Sequence, residues 1–289
     1  MNKIYIKVAL ALLALSGYMH NGAYASEAVE KSCTENCSLR HRPLSVYQQY
    51  KEEANGNLDE TIEALNYLEN SKDILLKLYD ADVQEFSDYG IESDRILYIK
   101  KIRNMNIGRL DITIPYSSKY KNAVRQYWDY KCDKNPDEKI INGKVARLYC
   151  KDKVLIEKLN TDPDNTSNKK IYSLASRNYK EEMTVIVCPS RVLDFDGEIN
   201  KETELKDIYK NQKLIETDID PVEALNKYGD NIAGFIIKND EKNDQVRITY
   251  INAIYDNVDP NEVSRNLKHR TDEFKKITEL SEKITPNNE

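Results

Sequence analysis

The chain has 289 residues, with 43 Lys and Arg against 49 Asp and Glu, a net charge of -6, and 40% hydrophobic residues. That length suits one domain or two small ones and allows a core that does not depend on disulfides. A mildly acidic, strongly charged chain is excluded as a general nucleic-acid binder, and past the N-terminus no apolar run approaches the roughly 20 residues that span a bilayer.

In chain order, MNKIYIK carries Lys3 and Lys7, VALALLALSGYM is apolar for about a dozen residues, and HNGAYA ends in small residues. This is the pattern of a cleaved secretory leader over 1–25, with an A-x-A site at Ala23-Tyr24-Ala25. Removing the two lysines takes the net charge to -8. The expected location is secreted: extracellular, or periplasmic if the source is a Gram-negative bacterium. Residues 26–43 read as a cysteine-containing arm.

Residues 44–135 read as mainly helical. Ile62, Leu65, Leu68, Leu75, Leu78, Tyr79, Val83 and Phe86 recur at helical spacing, with Gly90 as terminator. SDRILYIKKI reads as a second helix, capped by Ser93, with Ile96, Ile99 and Ile102 on one stripe. RLDITIP alternates as a strand up to Pro115, and Tyr120, Val124 and Trp128 return to helical spacing.

Residues 136–284 read as a mixed region, continuous with the preceding part in one globular domain. KIINGKVARLYC carries an Asn142-Gly143 hairpin signal, and IYSLA and MTVIVCP are short strands. Asp220-Pro221 opens a short helix stopped by Gly229. IAGFIIKNDEKNDQVRITYI is a hairpin around a polar turn. Asp259-Pro260 opens a long C-terminal helix with a sparse stripe of Val263, Leu267, Phe274, Ile277, Leu280 and Ile284. The expected class is α+β, with a helical N-terminal third, β-hairpins in the middle and C-terminal part, and a long C-terminal helix.

Cys33, Cys37, Cys132, Cys150 and Cys188 all lie in the exported part, where oxidation favours disulfides. A zinc clip at Cys33, Cys37 and His41 lacks a fourth ligand, and no C-x-x-C redox pair is present. Two disulfides and one odd thiol fit best, with the pairing open among fifteen arrangements, and no metal or cofactor is called for. Asn36 and Asn165 sit in N-x-S/T sequons and are glycosylation candidates in a eukaryotic pathway.

No phosphate-cradling glycine loop, G-x-S-x-G elbow or H-E-x-x-H occurs. Four Asp-x-Asp pairs are too ordinary in so acidic a chain to mark a site, and DFDGE fails the ligand spacing of a calcium loop. Charge segregation is the most distinctive feature: Arg95–Lys131 holds nine cations and two acids, interleaved with aromatics. Lys100, Lys101 and Arg103, then Lys119, Lys121 and Arg125, are the candidate binding residues for an unknown protein or anionic ligand. No catalytic residue is assigned.

ARLYC, IYSLA and TVIVCPSRVL, in that order, resemble the cysteine-containing β-region of deuterolysin-like secreted zinc peptidases of fungi. The resemblance covers about 120–230. It puts Val222-Glu223-Ala224-Leu225-Asn226 where that family has H-E-x-x-H, so it implies an inactive relative. Export without a catalytic set points to a secreted, non-enzymatic interaction or effector-type protein of a microbe. The alternatives are a secreted hydrolase (or the inactive metallopeptidase relative) and a periplasmic or envelope assembly factor.

Overall fold

The computed structural model describes residues 45–81, 87–92, 95–130, 139–158, 170–256 and 260–284, the side chains at 87–92 and 260–267 excepted. The chain divides into Met1–Pro43 and Leu44–Glu289, and the described residues belong to the second unit. The leader, the arm, His41, Cys33, Cys37, Cys132, Asn36 and Asn165 lie outside them.

After a single-turn helix α1 (Val46–Gln49), α2 runs over Leu58–Asp80. Asn57 caps it by accepting from the Glu60 amide, and Asp59 and Glu60 oppose the positive end of its dipole. Three strands follow: β1 (Ser87–Glu92), β2 (Arg95–Ile102) and β3 (Met105–Pro115). Helix α3 (Tyr120–Tyr127) leads to β4 (Lys144–Cys150), β5 (Lys153–Lys158), β6 (Ile171–Lys180) and β7 (Met183–Val187). Short helices α4 (Lys206–Asn211) and α5 (Pro221–Tyr228) precede β8 (Ile232–Asp240), β9 (Gln245–Tyr255) and the long α6 (Pro260–Ile284). The fold is α+β.

All nine strands form one antiparallel sheet in the order β1-β2-β3-β9-β8-β7-β6-β5-β4. Each strand lies beside its sequence neighbour except at the β3–β9 junction. There eleven residue pairs, from Met105↔Tyr255 to Pro115↔Gln245, join the two runs.

Alternation along the strands sorts the core between two faces. Met105, Ile107, Val185, Val187, Ile236, Ile251 and Ala253 meet Ile74, Leu75 and Leu78 of α2 and Val222 and Leu225 of α5. Leu110, Ile112, Ile186, Phe235, Val246, Ile248 and Tyr250 meet Val124 and Tyr127 of α3 and Phe274, Ile277, Leu280 and Ile284 of α6. Each of these α6 side chains contributes about 1.5–3 kcal/mol by leaving water. The α2 layer comes close at Gly234, where a Cβ would stand 2.3 Å from the Ile186 carbonyl oxygen and 2.4 Å from Leu75 Cδ2.

Several expectations change. RILYIKKI is strand β2, paired along its length with β3 from Arg95↔Ile112 to Ile102↔Met105, and the Ser93 cap lies outside the described residues. Its apolar residues are half-buried on both faces, so no alternation marks the strand. Tyr89 and Gly90 belong to β1 and not to a helix end; Val83 and Phe86 lie outside the described residues. Asn142-Gly143 turns no hairpin: β4 starts at Lys144 and turns back at Lys151-Asp152 into β5. Gly143 is held at φ 147, and a Cβ there would stand 2.4 Å from the Glu157 carbonyl oxygen, closer than any side chain tolerates. The Asp220 cap, the Gly229 stop at φ 63 and the β8–β9 hairpin are as read from the sequence.

Candidate functional site

Among the described residues, the inner face of α6 carries Arg270 and Glu273 among its apolar side chains. Arg270 is 2% exposed and Glu273 is half-buried. Arg270 lies one turn before Phe274, so the packing that buries the phenyl ring draws the guanidinium down with it. Its Nη2 donates to the Asn106 carbonyl oxygen at 2.5 Å, while Nε and Nη1 are buried without a hydrogen-bond partner. Burial pulls the guanidinium pKa down, against the influence of Tyr250, Asp256 and Glu273.

Asp256, immediately after β9, is 4% exposed, and both its carboxylate oxygens lack a hydrogen-bond partner. By strand alternation it shares a face with Tyr250 and Asn252, toward α6. Asn252 Nδ2 donates to Glu273 Oε2 at 2.5 Å and to Tyr250 Oη at 3.3 Å. Burial first, then the Glu273 charge, hold the Tyr250 phenol well above its usual range.

The sheet beneath these groups changes character from one row to the next. Leu110, Tyr250, Phe235 and Ile186 stand opposite one another across β3, β9, β8 and β7. Their aromatic members stack: Tyr127–Phe235 at 4.7 Å, Phe235–Tyr250 at 4.6 Å and Tyr250–Phe274 at 5.8 Å between centroids. The next row reads Gly108, Asn252, Ala233 and Cys188, with Ala175 and Ser173 continuing the same face on β6. Ser173 is fully buried and its Oγ also has no partner. Bulky rings fill the first row; small side chains floor the second, next to the unpartnered nitrogens of Arg270 and oxygens of Asp256.

At the far side of the small row, burial lowers the Lys158 amine pKa, with Glu273 and Cys188 acting against it. Cys188 is a free thiol, raised well above its usual range by burial, and Cys150 is a half-buried free thiol. These two of the five disulfide candidates form no disulfide in the structure.

The six basic candidates are not brought together. Lys100 and Lys101 are consecutive strand residues and point to opposite faces. Arg103 occupies the β2–β3 turn at φ 54. Lys119 ends a 3-10 turn, and Lys121 and Arg125 are exposed on α3, Arg125 donating to Asn122. The two groups sit at opposite ends of β3, roughly 25 Å apart at about 3.3 Å per residue.

The sequence matches no protein-family model and no curated protein. Among solved structures, the human StAR-related lipid transfer protein 5 is similar at 7% identity and a TM-score of 0.45, covering 76% of this chain and 96% of that one. A StAR-related lipid transfer protein fragment from Xanthomonas axonopodis is similar at 10% identity and 0.39, covering 69% and 98%. Human STARD10 is similar at 11% identity and 0.36, covering 74% and 80%. Likenesses this distant carry no argument about what the chain binds.

The resemblance to deuterolysin-like peptidases is corrected. ARLYC, IYSLA and TVIV lie on three strands (β4, β6 and β7) of one nine-stranded antiparallel sheet. Val222–Asn226 lies in the first turns of α5, with Val222, Ala224 and Leu225 in the core and Glu223 exposed. The secreted effector reading and its hydrolase and assembly-factor alternatives are corrected with it. They rested on the lack of motifs and on one basic patch; the cations of that patch sit at opposite ends of β3, and the unpartnered polar atoms of Arg270 and Asp256 are buried elsewhere. No described helix is long and apolar enough to cross a membrane.

Arg270 and Asp256 went unread. A signal for Arg270 exists in the sequence: the stripe Val263, Leu267, Phe274, Ile277 skips the position between Leu267 and Phe274 where a cation stands. Nothing local distinguishes Asp256 from the 23 other aspartates of the chain.

Proposed function

We propose that this chain binds a small amphipathic molecule of lipid class between the sheet and α6, its polar head between Arg270 and Asp256. The four unpartnered atoms of these two buried side chains carry the reading. An unmet buried donor or acceptor costs about 1–3 kcal/mol, and more on a charged group, so a site that leaves four of them is organised around something they bind. The head must accept from Arg270 and donate to Asp256, and the opposite charges favour a neutral group; a hydroxyl meets both demands. The small row of Ala233, Cys188 and Ala175 gives an apolar floor for the body. The distant structural likenesses add no weight to this.

The test uses the full chain, a long-chain alcohol and the alkane of the same length, with binding read by displacement of a fluorescent fatty probe. The alcohol is expected to bind more tightly. The Asp256→Asn/Arg270→Met variant is expected to lose that preference by about tenfold or more, the worth of one or two hydrogen bonds to charged groups. Equal binding of both probes by the unaltered chain, or an unchanged preference in the variant, overturns the proposal. So does a crystal structure in which waters alone satisfy the four atoms and no amphiphile binds.

A further inference from the structure

Gly108 lies in the middle of β3, opposite Asn252, under the turn of α6 that carries Arg270 and Phe274. Its φ is not in the left-handed region and the β3–β9 register runs through it unbroken, so the backbone there would accept any residue. Glycine inside a strand weakens it and leaves nothing to pack, unless another group must come close. Here one does. A Cβ at position 108 would stand 2.6 Å from Phe274 Cζ and 3.1 Å from the Cδ and Cε2 atoms of Arg270 and Phe274 respectively.

Those two contacts fall on the two residues that fix the depth of the helix over the head-group site. Phe274 seats α6 against Tyr250, edge to face. Arg270 extends its Nη2 to the carbonyl of Asn106, two residues before Gly108 on the same strand, and its remaining nitrogens are left without partners. A methyl on residue 108 would lift the ring and swing the arginine stem, moving the guanidinium away from the Asn106 carbonyl. Neighbouring α6-facing positions of β3, Asn106 and Leu110, carry side chains; the gap is confined to the crossing point.

We infer that Gly108 is the positioning residue of the head-group site: its missing side chain sets the depth of α6 and so the placement of Arg270. This rests on the reading given under Proposed function, because Gly108 acts through Arg270 and touches no ligand itself.

Head-group preference, the ratio of alcohol to alkane affinity in the same displacement assay, separates this role from plain packing. Gly108→Ala is expected to lower alcohol affinity by about tenfold, one charged hydrogen bond misplaced, and to leave alkane affinity unchanged. Phe274→Leu in that background removes the ring atom that collides and is expected to return the preference part of the way. If Gly108 only supports packing, both probes weaken together and the ratio stays put; that result overturns the inference. Should Gly108→Ala alone fail to fold, Gly108→Ala/Phe274→Leu is compared with Phe274→Leu, from which it differs by the contact to Arg270 Cδ. A lower preference in the double variant is expected, and equal preference overturns the inference. If Asp256→Asn/Arg270→Met keeps the alcohol preference, the head-group reading itself has failed. If that variant loses it while Gly108→Ala retains it, only the positioning role falls.

Discussion

Arg270 and Asp256 oppose stability and binding to each other in a way that can be measured. Both are buried, Asp256 acts against the lowering of the Arg270 pKa by burial, and four of their polar atoms have no hydrogen bond. Replacing an imperfectly paired buried charge pair by groups of similar volume is often neutral or stabilising by about 1–4 kcal/mol. Asp256→Asn/Arg270→Met is therefore expected to raise the melting temperature of the ligand-free chain by a few degrees, at about 2–4 °C per kcal/mol for a domain of this size, while it loses alcohol preference. A loss of stability would mean that these residues hold α6 on the sheet and are not a site. By contrast, the buried Arg191 is fully engaged, with Asp230, Asn70, Ser71 and the Lys213 carbonyl as partners and the Tyr67 ring 4.2 Å away. Its role is to tie α2 to the loops around it, and it offers nothing to a ligand.

At the scale of elements, the β2–β3 hairpin is where sequence and structure part most clearly. Ile96, Ile99 and Ile102 fit a helical stripe, but the long-range pairing of β3 with β9 makes a template on which β2 lies down in full register. The turn itself, Arg103-Asn104, lacks the glycine that would have announced it. Arg103 adopts φ 54 instead, and Asn226 of α5 clasps the turn by accepting from the Asn104 amide and donating to the Ile102 carbonyl. A left-handed conformation costs a residue with a side chain about 1–2 kcal/mol. Arg103→Gly is expected to recover about 1 kcal/mol, seen as a higher urea midpoint at unchanged slope; a lower midpoint would show that the arginine side chain contributes more than its strain costs. The elements that were legible carried their own punctuation: Asn57 before α2, Asp220 and Gly229 around α5, the polar turn between β8 and β9. Of the site, the misplaced cation at 270 could be seen on the helix stripe. Asp256 could not, because its meaning comes only from the helix that folds over it.

For the molecule as a whole, buried phenols dominate the response to pH. Tyr67 is 3% exposed, and burial raises its pKa to about 12, with Arg191 acting against that shift. Burial likewise raises Tyr127, Tyr130, Tyr149, Tyr209 and Tyr250. A group whose pKa is higher folded than unfolded contributes its stability in full below the unfolded value, near 10, and loses it as pH climbs through the folded value. For Tyr67 alone the loss by pH 12 is about 2 kcal/mol. The surface carboxylates Glu52, Asp59 and Glu198, and the half-exposed Glu216, are lowered by hydrogen bonds to Lys201, Lys206, Lys170 and Lys227, and water screens such pairs heavily. Base should thus unfold the chain abruptly above pH 10, with phenolate absorbance and loss of circular dichroism rising together. Gradual phenolate formation around pH 10 with the fold intact would contradict the burial of these rings.

The β3–β9 junction means that chain continuity and structural continuity are different things here. Residues 45–130 supply α2, β1–β3 and α3; residues 139–284 supply the remaining strands and α6. The two runs grip each other through eleven residue pairs, α2 lying on strands of the second and α6 on a strand of the first. The peptide bonds between Tyr130 and Lys139 are then dispensable once the halves have met. Co-expressed as separate polypeptides divided there, they are expected to co-purify as one folded particle; recovery of either half alone would refute this. The Asn106 carbonyl and Gly108 come from one half, Arg270 and Asp256 from the other, so neither polypeptide owns the head-group site. An amphiphile would act as molecular glue between them, and its concentration could be read directly as the degree of reassembly.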